Sequence, residues 1–162
     1  MIYEVEGDIM LTRAQVIAQG VATKDPMTRG MARKLHERFP AMVEAYNEWC
    51  AETNPEPGQI WLWGDADKLM VVNMITHEGD ADSTRQGRPQ KIAVHRAFRA
   101  LNKLVIDERL KSISMPKIGT GFGGLDWHEV RGMMHSQLGE LLIPLFIYVE
   151  EMDGQIASEP GM

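Results

Sequence analysis

Between residues 92 and 149 the chain alternates helical stripes with short apolar runs, and this alternation restricts the fold more than any other feature. Ile92, His95, Phe98, Leu101 and Val105 recur at helical spacing, and SISMP (112–116) follows as a short strand. Trp127, Val130, Met134, Leu138 and Leu141 make a second stripe, and IPLFIYV (143–149) a last strand. A strand that returns through a helix to another strand is set parallel to it, with the helix covering one face.

The upstream half reads the same way. IYEV (2–5) and VIAQGV (16–21) are strand-like runs. Met31, Leu35, Phe39 and Met42 keep helical spacing, with Pro40 marking either a break or the first turn of a second helix. TNPEPG (53–58) is a loop by composition. Residues 59–75 read as a hairpin, with strands near 59–63 and 69–75 turning at 64–67. Trp61 and Trp63 alternate on the first of them, so one face of the hairpin is expected to be open to self-association. Residues 77–89 form a long polar loop, and long loops in compact domains are often functional. The expected fold class is therefore α/β: a three-layer α/β/α arrangement around a mixed, largely parallel sheet. One domain is expected over 1–150, and EMDGQIASEPGM (151–162) is expected to be a disordered tail, because it offers little to bury.

Charge and cysteine content limit the function classes. The formal net charge of −6 does not suit a protein held on nucleic acid by bulk charge, although a local basic patch at Arg85, Arg88 and Lys91 remains. Cys50 is the one cysteine, so no internal disulfide can form. The sequence contains no apolar run of membrane-spanning length, and its first residues do not read as a signal peptide, so a cytoplasmic protein is expected. The histidines lack metal-ligand spacing, and no cofactor or metal is expected.

MPKIGTGFGGLDW (115–127) holds four glycines within six residues, Gly119, Gly121, Gly123 and Gly124, between a strand and a helix. Bare backbone there lets N–H groups and a helix N-terminus face a phosphate. A tight strand-to-helix turn with no ligand is the simpler use of the same glycines. The stretch also matches G-x-G-x-x-G at Gly119, Gly121 and Gly124, which would suit a dinucleotide-binding fold. In such a fold, however, the motif opens the domain, whereas here one strand remains after it.

Four segments in order resemble the macro domain, the fold that binds ADP-ribose: EGDIM (6–10), VIAQGVATKDPMTRGMARKLHERFP (16–40), VVNMIT (71–76) and SMPKIGTGFGGLDWHEV (114–130). The last resembles the branch containing the terminal ADP-ribose protein glycohydrolases and the antitoxin enzymes that strip ADP-ribose from DNA. The resemblance implies that Asp8 accepts a hydrogen bond from the adenine amine, with the Ile9 backbone beside it. It implies that Gly119, Thr120, Gly121, Phe122 and Gly123 wrap the diphosphate, and that the first loop, including Ala22, Met27 and Gly30, meets the distal ribose and phosphate.

The chain departs from that branch in two places. Its first loop usually reads N-x-x-G-x-M-G-x-G-I-A. Here Met27, Gly30 and Ala32 match, but Ala22 replaces the asparagine, and Asp25 and Thr28 replace two glycines. Lys24 or Arg29 could supply charge in their place. The branch's reactive lysine, which can form an imine adduct, corresponds to His77, and an aspartate used by one relative corresponds to Gly123. An imidazole cannot form that imine, but it can act as a general base, with Glu78, Asp80 or Asp82 orienting it or a water. The leading expectation is thus a macro domain that removes ADP-ribose from a modified protein or nucleic acid without a lysine. The alternatives are a non-catalytic reader of ADP-ribose or a related nucleotide metabolite, and a Rossmann-like dinucleotide-binding protein.

Overall fold

The structure is a computed structural model and describes residues 1–79, 87–121 and 124–162. Six strands, β1 (Ile2–Gly7), β2 (Val16–Ala22), β3 (Ile60–Trp63), β4 (Met70–His77), β5 (Ile113–Pro116) and β6 (Leu145–Glu151), form one sheet in the order β1-β6-β5-β2-β4-β3. All neighbours are parallel except β3 and β4, the expected hairpin. The α-helices among the described residues are α1 (Gly30–Arg38), α2 (Pro40–Thr53), α3 (Lys91–Asp107) and α4 (Trp127–Leu138).

The alternating faces of the strands explain the three layers. Val16, Ala18, Val72 and Met74 pack with Phe98 and Leu101 of α3 and Val130 and Met134 of α4. Ile17, Val21, Val71 and Ile75 pack with Leu35 of α1 and Met42 and Tyr46 of α2 on the other face. Every residue of β4 is buried, as a central strand between two helical layers requires. Pro40 takes the first turn of α2, where its missing N–H breaks no helical bond, and Phe39 separates it from α1.

Two expectations need correction. Trp61 and Trp63 do not form an open face. Trp61 packs on Tyr46 and Trp49 with ring centroids 5.5 and 6.1 Å apart, and Trp63 packs on Phe39 at 5.5 Å. The C-terminal segment also buries more than its composition suggests. Ala157 and Glu159 are buried, and the Glu159 carboxylate accepts hydrogen bonds from Thr12 Oγ1, the Arg13 N–H, Ser114 Oγ and Tyr148 OH. Four donors satisfy one buried carboxylate and tie the segment to the chain ahead of β2 and to β5 and β6. No helix among the described residues is long and apolar enough to cross a membrane.

Candidate functional site

Five parallel strands end at the same edge of the sheet, and the ends of β2, β4 and β5 with the loops that follow them line a cavity of about 230 Å³. In open α/β sheets, ligands bind outside the carboxyl ends of the strands. Gln19 and Gly20 of β2, Thr76 and His77 of β4, and Pro116 to Gly119 with Gly121 after β5 line it, together with Asp25, Arg29, Met31, Ala32 and Pro89. A second hollow of about 300 Å³ is lined by Thr23 and Gly79, which are joined by a hydrogen bond, and among the described residues neither a glycine turn nor a helix N-terminus lines it.

The glycine turn divides into folding and non-folding positions. Gly119 has φ +73°, a conformation that favours glycine. A Cβ on Gly124 would overlap the Gly119 carbonyl oxygen and lie 2.8 Å from that of Gly121. That crowding closes the turn, in which the Gly124 N–H donates to the Gly121 carbonyl and the Leu125 N–H to that of Gly119. Gly121 has neither constraint: among the described residues nothing lies within 4 Å of where its Cβ would be, and it lines the cavity. Folding does not require a glycine there, whereas a ligand pressed against the backbone would. Thr120, also expected at the ligand, turns its N–H and hydroxyl to the Lys117 carbonyl. Phe122 and Gly123 lie outside the described residues.

Opposite this turn stands the N-terminus of α1. Arg29 takes the N-cap position without a side-chain capping bond, and Met31 and Ala32 of the first turn line the cavity. A helix start presents N–H groups and the positive end of its dipole, which favour an anion. Arg29 and Lys117 add positive charge to the same lining.

The first loop is held together by Asp25, which the sequence showed only as a lost glycine. Its carboxylate accepts from the Ala22 N–H at 2.9 Å and from the Met27 N–H at 2.8 Å, and it is 6% exposed. The second of these bonds is the aspartate-to-i+2 turn that an Asp-Pro-x sequence favours, and that was the signal available. Ala22 and Met27 are fully buried behind the wall, with the Ala22 carbonyl accepting from Tyr46 OH at 2.7 Å. Gly30 opens α1 at φ +56° and is not part of the lining. Beneath them Gln19 donates to Asn73 at 2.9 Å, a buried amide pair that sequence reasoning missed.

His77 ends β4 and is 8% exposed. A register shift between Val21 and Ala22 sets Ala22 opposite it. Its Nδ1 lies 2.8 Å from Thr76 Oγ1, which in turn donates to the Val21 carbonyl at 3.4 Å. With that hydroxyl proton on the carbonyl, Nδ1–H donates to Thr76 and Nε2 keeps its lone pair for an incoming proton. Burial pushes the imidazole below its usual proton affinity, and the Asp25 charge works against this. The expected orienting residues are not at the cavity: Glu78 is exposed and lines the second hollow, while Asp80 and Asp82 lie outside the described residues. Arg85 does too. Arg88 is exposed and Lys91 pairs with Glu129 at 3.4 Å.

Asp8 and Ile9 sit at the same sheet edge but not in the cavity lining. Asp8 accepts from the Met10 N–H at 3.0 Å and the Gly154 N–H at 2.9 Å. Burial raises the proton affinity of the Glu151 carboxylate against the opposing charge of Lys34. From β1 to β4 the edge crosses four strand spacings, roughly 19 Å, so one ligand touching both ends must be extended.

A mixed sheet carrying a strand-end cavity between a glycine turn and a helix start defines the class, and a family model agrees: the macro domain model matches residues 22–134, and the chain belongs to that family. Among its relatives, a DNA ADP-ribosyl transferase-DNA ADP-ribosyl glycohydrolase fusion protein of Thermosipho africanus is 27% identical, over 90% of this chain and 41% of its own. The DNA ADP-ribosyl glycohydrolase of Mycobacterium tuberculosis is 24% identical, over 83% of this chain and 38% of its own. The chain thus spans about two fifths of the length of the curated relatives it matches. The macrodomain of Thermus aquaticus DarG superposes with a TM-score of 0.82 at 24% identity, covering 92% of this chain and 98% of that one. Thermosipho africanus DarTG in complex with ADP-ribose superposes with a TM-score of 0.79 at 23% identity, covering 96% of this chain and 42% of that one. The dinucleotide-fold alternative does not fit the sheet, because the glycine turn follows β5, flanked by β6 and β2, instead of opening the domain.

Proposed function

We propose that this macro domain binds ADP-ribose across its strand ends and hydrolyses it from a modified macromolecule, with ADP-ribosylated DNA the favoured target. The observation that carries the reading is Gly121, a bare cavity-lining backbone position that folding does not need. The names of the relatives supply the substrate class, and the cavity supplies fitting chemistry. The diphosphate lies between the Gly119–Gly121 backbone and the start of α1, with Arg29 and Lys117 balancing its charge. The adenine lies toward Asp8, whose carboxylate oxygens have further lone pairs for an amine. The distal ribose then reaches His77.

There the imidazole acts as general base. Nε2 takes a proton from water as the water oxygen bonds to the anomeric carbon. The bond from that carbon to the target breaks, and its electron pair leaves with the target, which receives a proton from the imidazolium. The products are ADP-ribose and the unmodified target. No imine forms, since His77 is not a primary amine.

A reader without turnover is the second reading. His77 favours it, because it stands where the branch keeps its reactive lysine. The deciding assay is release of ADP-ribose from an ADP-ribosylated DNA oligonucleotide by the wild type and by His77→Ala. The glycohydrolase reading predicts release by the wild type and a loss of about 10²–10⁴-fold in the variant, with ADP-ribose affinity retained. Binding without release by the wild type would favour the reader.

A further inference from the structure

We propose that Asp25 is the positioning residue for His77: a buried carboxylate locked beside the imidazole, which stabilises the imidazolium formed when His77 takes a proton. This deepens the proposed role of His77 and rests on it for its catalytic meaning. The placement itself stands on geometry. Asp25 and His77 line one cavity and are 6% and 8% exposed. The carboxylate is fastened to the Ala22 N–H, and Ala22 is the residue that faces His77 across β2 and β4. The next N–H, that of Thr23, donates to the His77 carbonyl at 3.2 Å. Asp25 is therefore pinned one peptide away from the strand end that carries the imidazole. The Met27 N–H fixes the other oxygen, so the carboxylate cannot swing out.

The charge there has a specific electrostatic setting. Arg29 from the start of α1 and Lys117 from the turn after β5 line the same cavity. Burial disfavours a charged imidazole, and among the described residues Asp25 is the acidic one of the lining. Glu78, next in sequence to His77, is exposed on the second hollow. A histidine in this setting needs a fixed anion to accept a proton at neutral pH, and the first loop provides one where a glycine would not.

The test follows the His77 ring proton by NMR across pH in the wild type, Asp25→Asn and Asp25→Glu. The expected result is a fall in the His77 midpoint of about one pH unit or more in Asp25→Asn, with Asp25→Glu staying near the wild type. The acid limb of any turnover profile should shift with it. His36 and His135 serve as internal controls. Should Asp25→Asn fail to fold, Asp25→Ser keeps a short acceptor for the Met27 N–H without the charge and gives the same comparison. An unchanged His77 midpoint in a folded neutral variant would overturn the proposal and leave Asp25 as a loop fastener alone. If the wild type shows no turnover, the glycohydrolase reading fails, while the titration still decides the role of Asp25.

Discussion

The two loops that flank the cavity are built on opposite plans. The first, from Ala22 to Gly30, closes on its own carboxylate: Asp25 takes two of its N–H groups, and Ala22 and Met27 are buried behind it. The second, from Lys117 to Leu125, closes through backbone bonds made possible by Gly119 and Gly124, and it leaves Gly121 bare at the cavity. The contrast separates two tasks. In the proposed reading the second loop and the start of α1 hold the anion, while the first loop supplies a fixed charge beside His77.

The largest effect should come from breaking the anion side. Gly121→Glu places a carboxylate where, among the described residues, nothing lies within 4 Å of the added Cβ. Its ADP-ribose affinity should fall by about 100-fold or more, ~2.7 kcal/mol, when measured by calorimetry. Its urea midpoint should stay near that of the wild type, because the position has open space. Loss of folding in this variant would mean that Gly121 is a folding glycine after all.

Next comes the fastening of the first loop. Asp25→Ala leaves the buried Ala22 and Met27 N–H groups without their acceptor, and stability should drop by about 2 kcal/mol in urea unfolding. Gly124→Ala should cost somewhat less, about 1.5 kcal/mol, as the added methyl pushes against the Gly119 and Gly121 carbonyls. Gly121→Ala should stay within about 0.5 kcal/mol of the wild type. Equal losses at Gly121 and Gly124 would erase the distinction between a ligand glycine and a folding glycine.

Much of this division is absent from local sequence. The strand–helix alternation, Pro40 at the start of α2 and the glycine turn are all legible, because periodicity and backbone freedom are local properties. The placement of His77 at the cavity also followed, through the family resemblance. Asp25 was read as a missing glycine, since its meaning depends on two backbone donors that only the folded loop brings to it. The C-terminal segment looked empty because Glu159 finds Thr12, Ser114 and Tyr148 from distant parts of the chain. Trp61 and Trp63 look exposed in the sequence because their cover, Tyr46 and Trp49 of α2 and Phe39 ahead of it, comes from a different part of the fold.

The smallest effect sharpens the account of His77. Its folded proton affinity lies below the ordinary value of 6.5, chiefly through burial, so the unfolded chain binds more protons below that pH. The stabilising contribution is present above the unfolded value and is lost as pH falls through the folded one. From about pH 7.5 to about pH 5 the wild type should therefore lose more stability than His77→Ala. The same loss in both would mean that the imidazole is not titrating in a buried place.

The most direct measurement is calorimetric titration of the wild-type protein with ADP-ribose, with NAD and AMP as comparators. The account predicts micromolar binding selective for ADP-ribose, about −8 kcal/mol. No binding to ADP-ribose, or equal binding to all three, would contradict it.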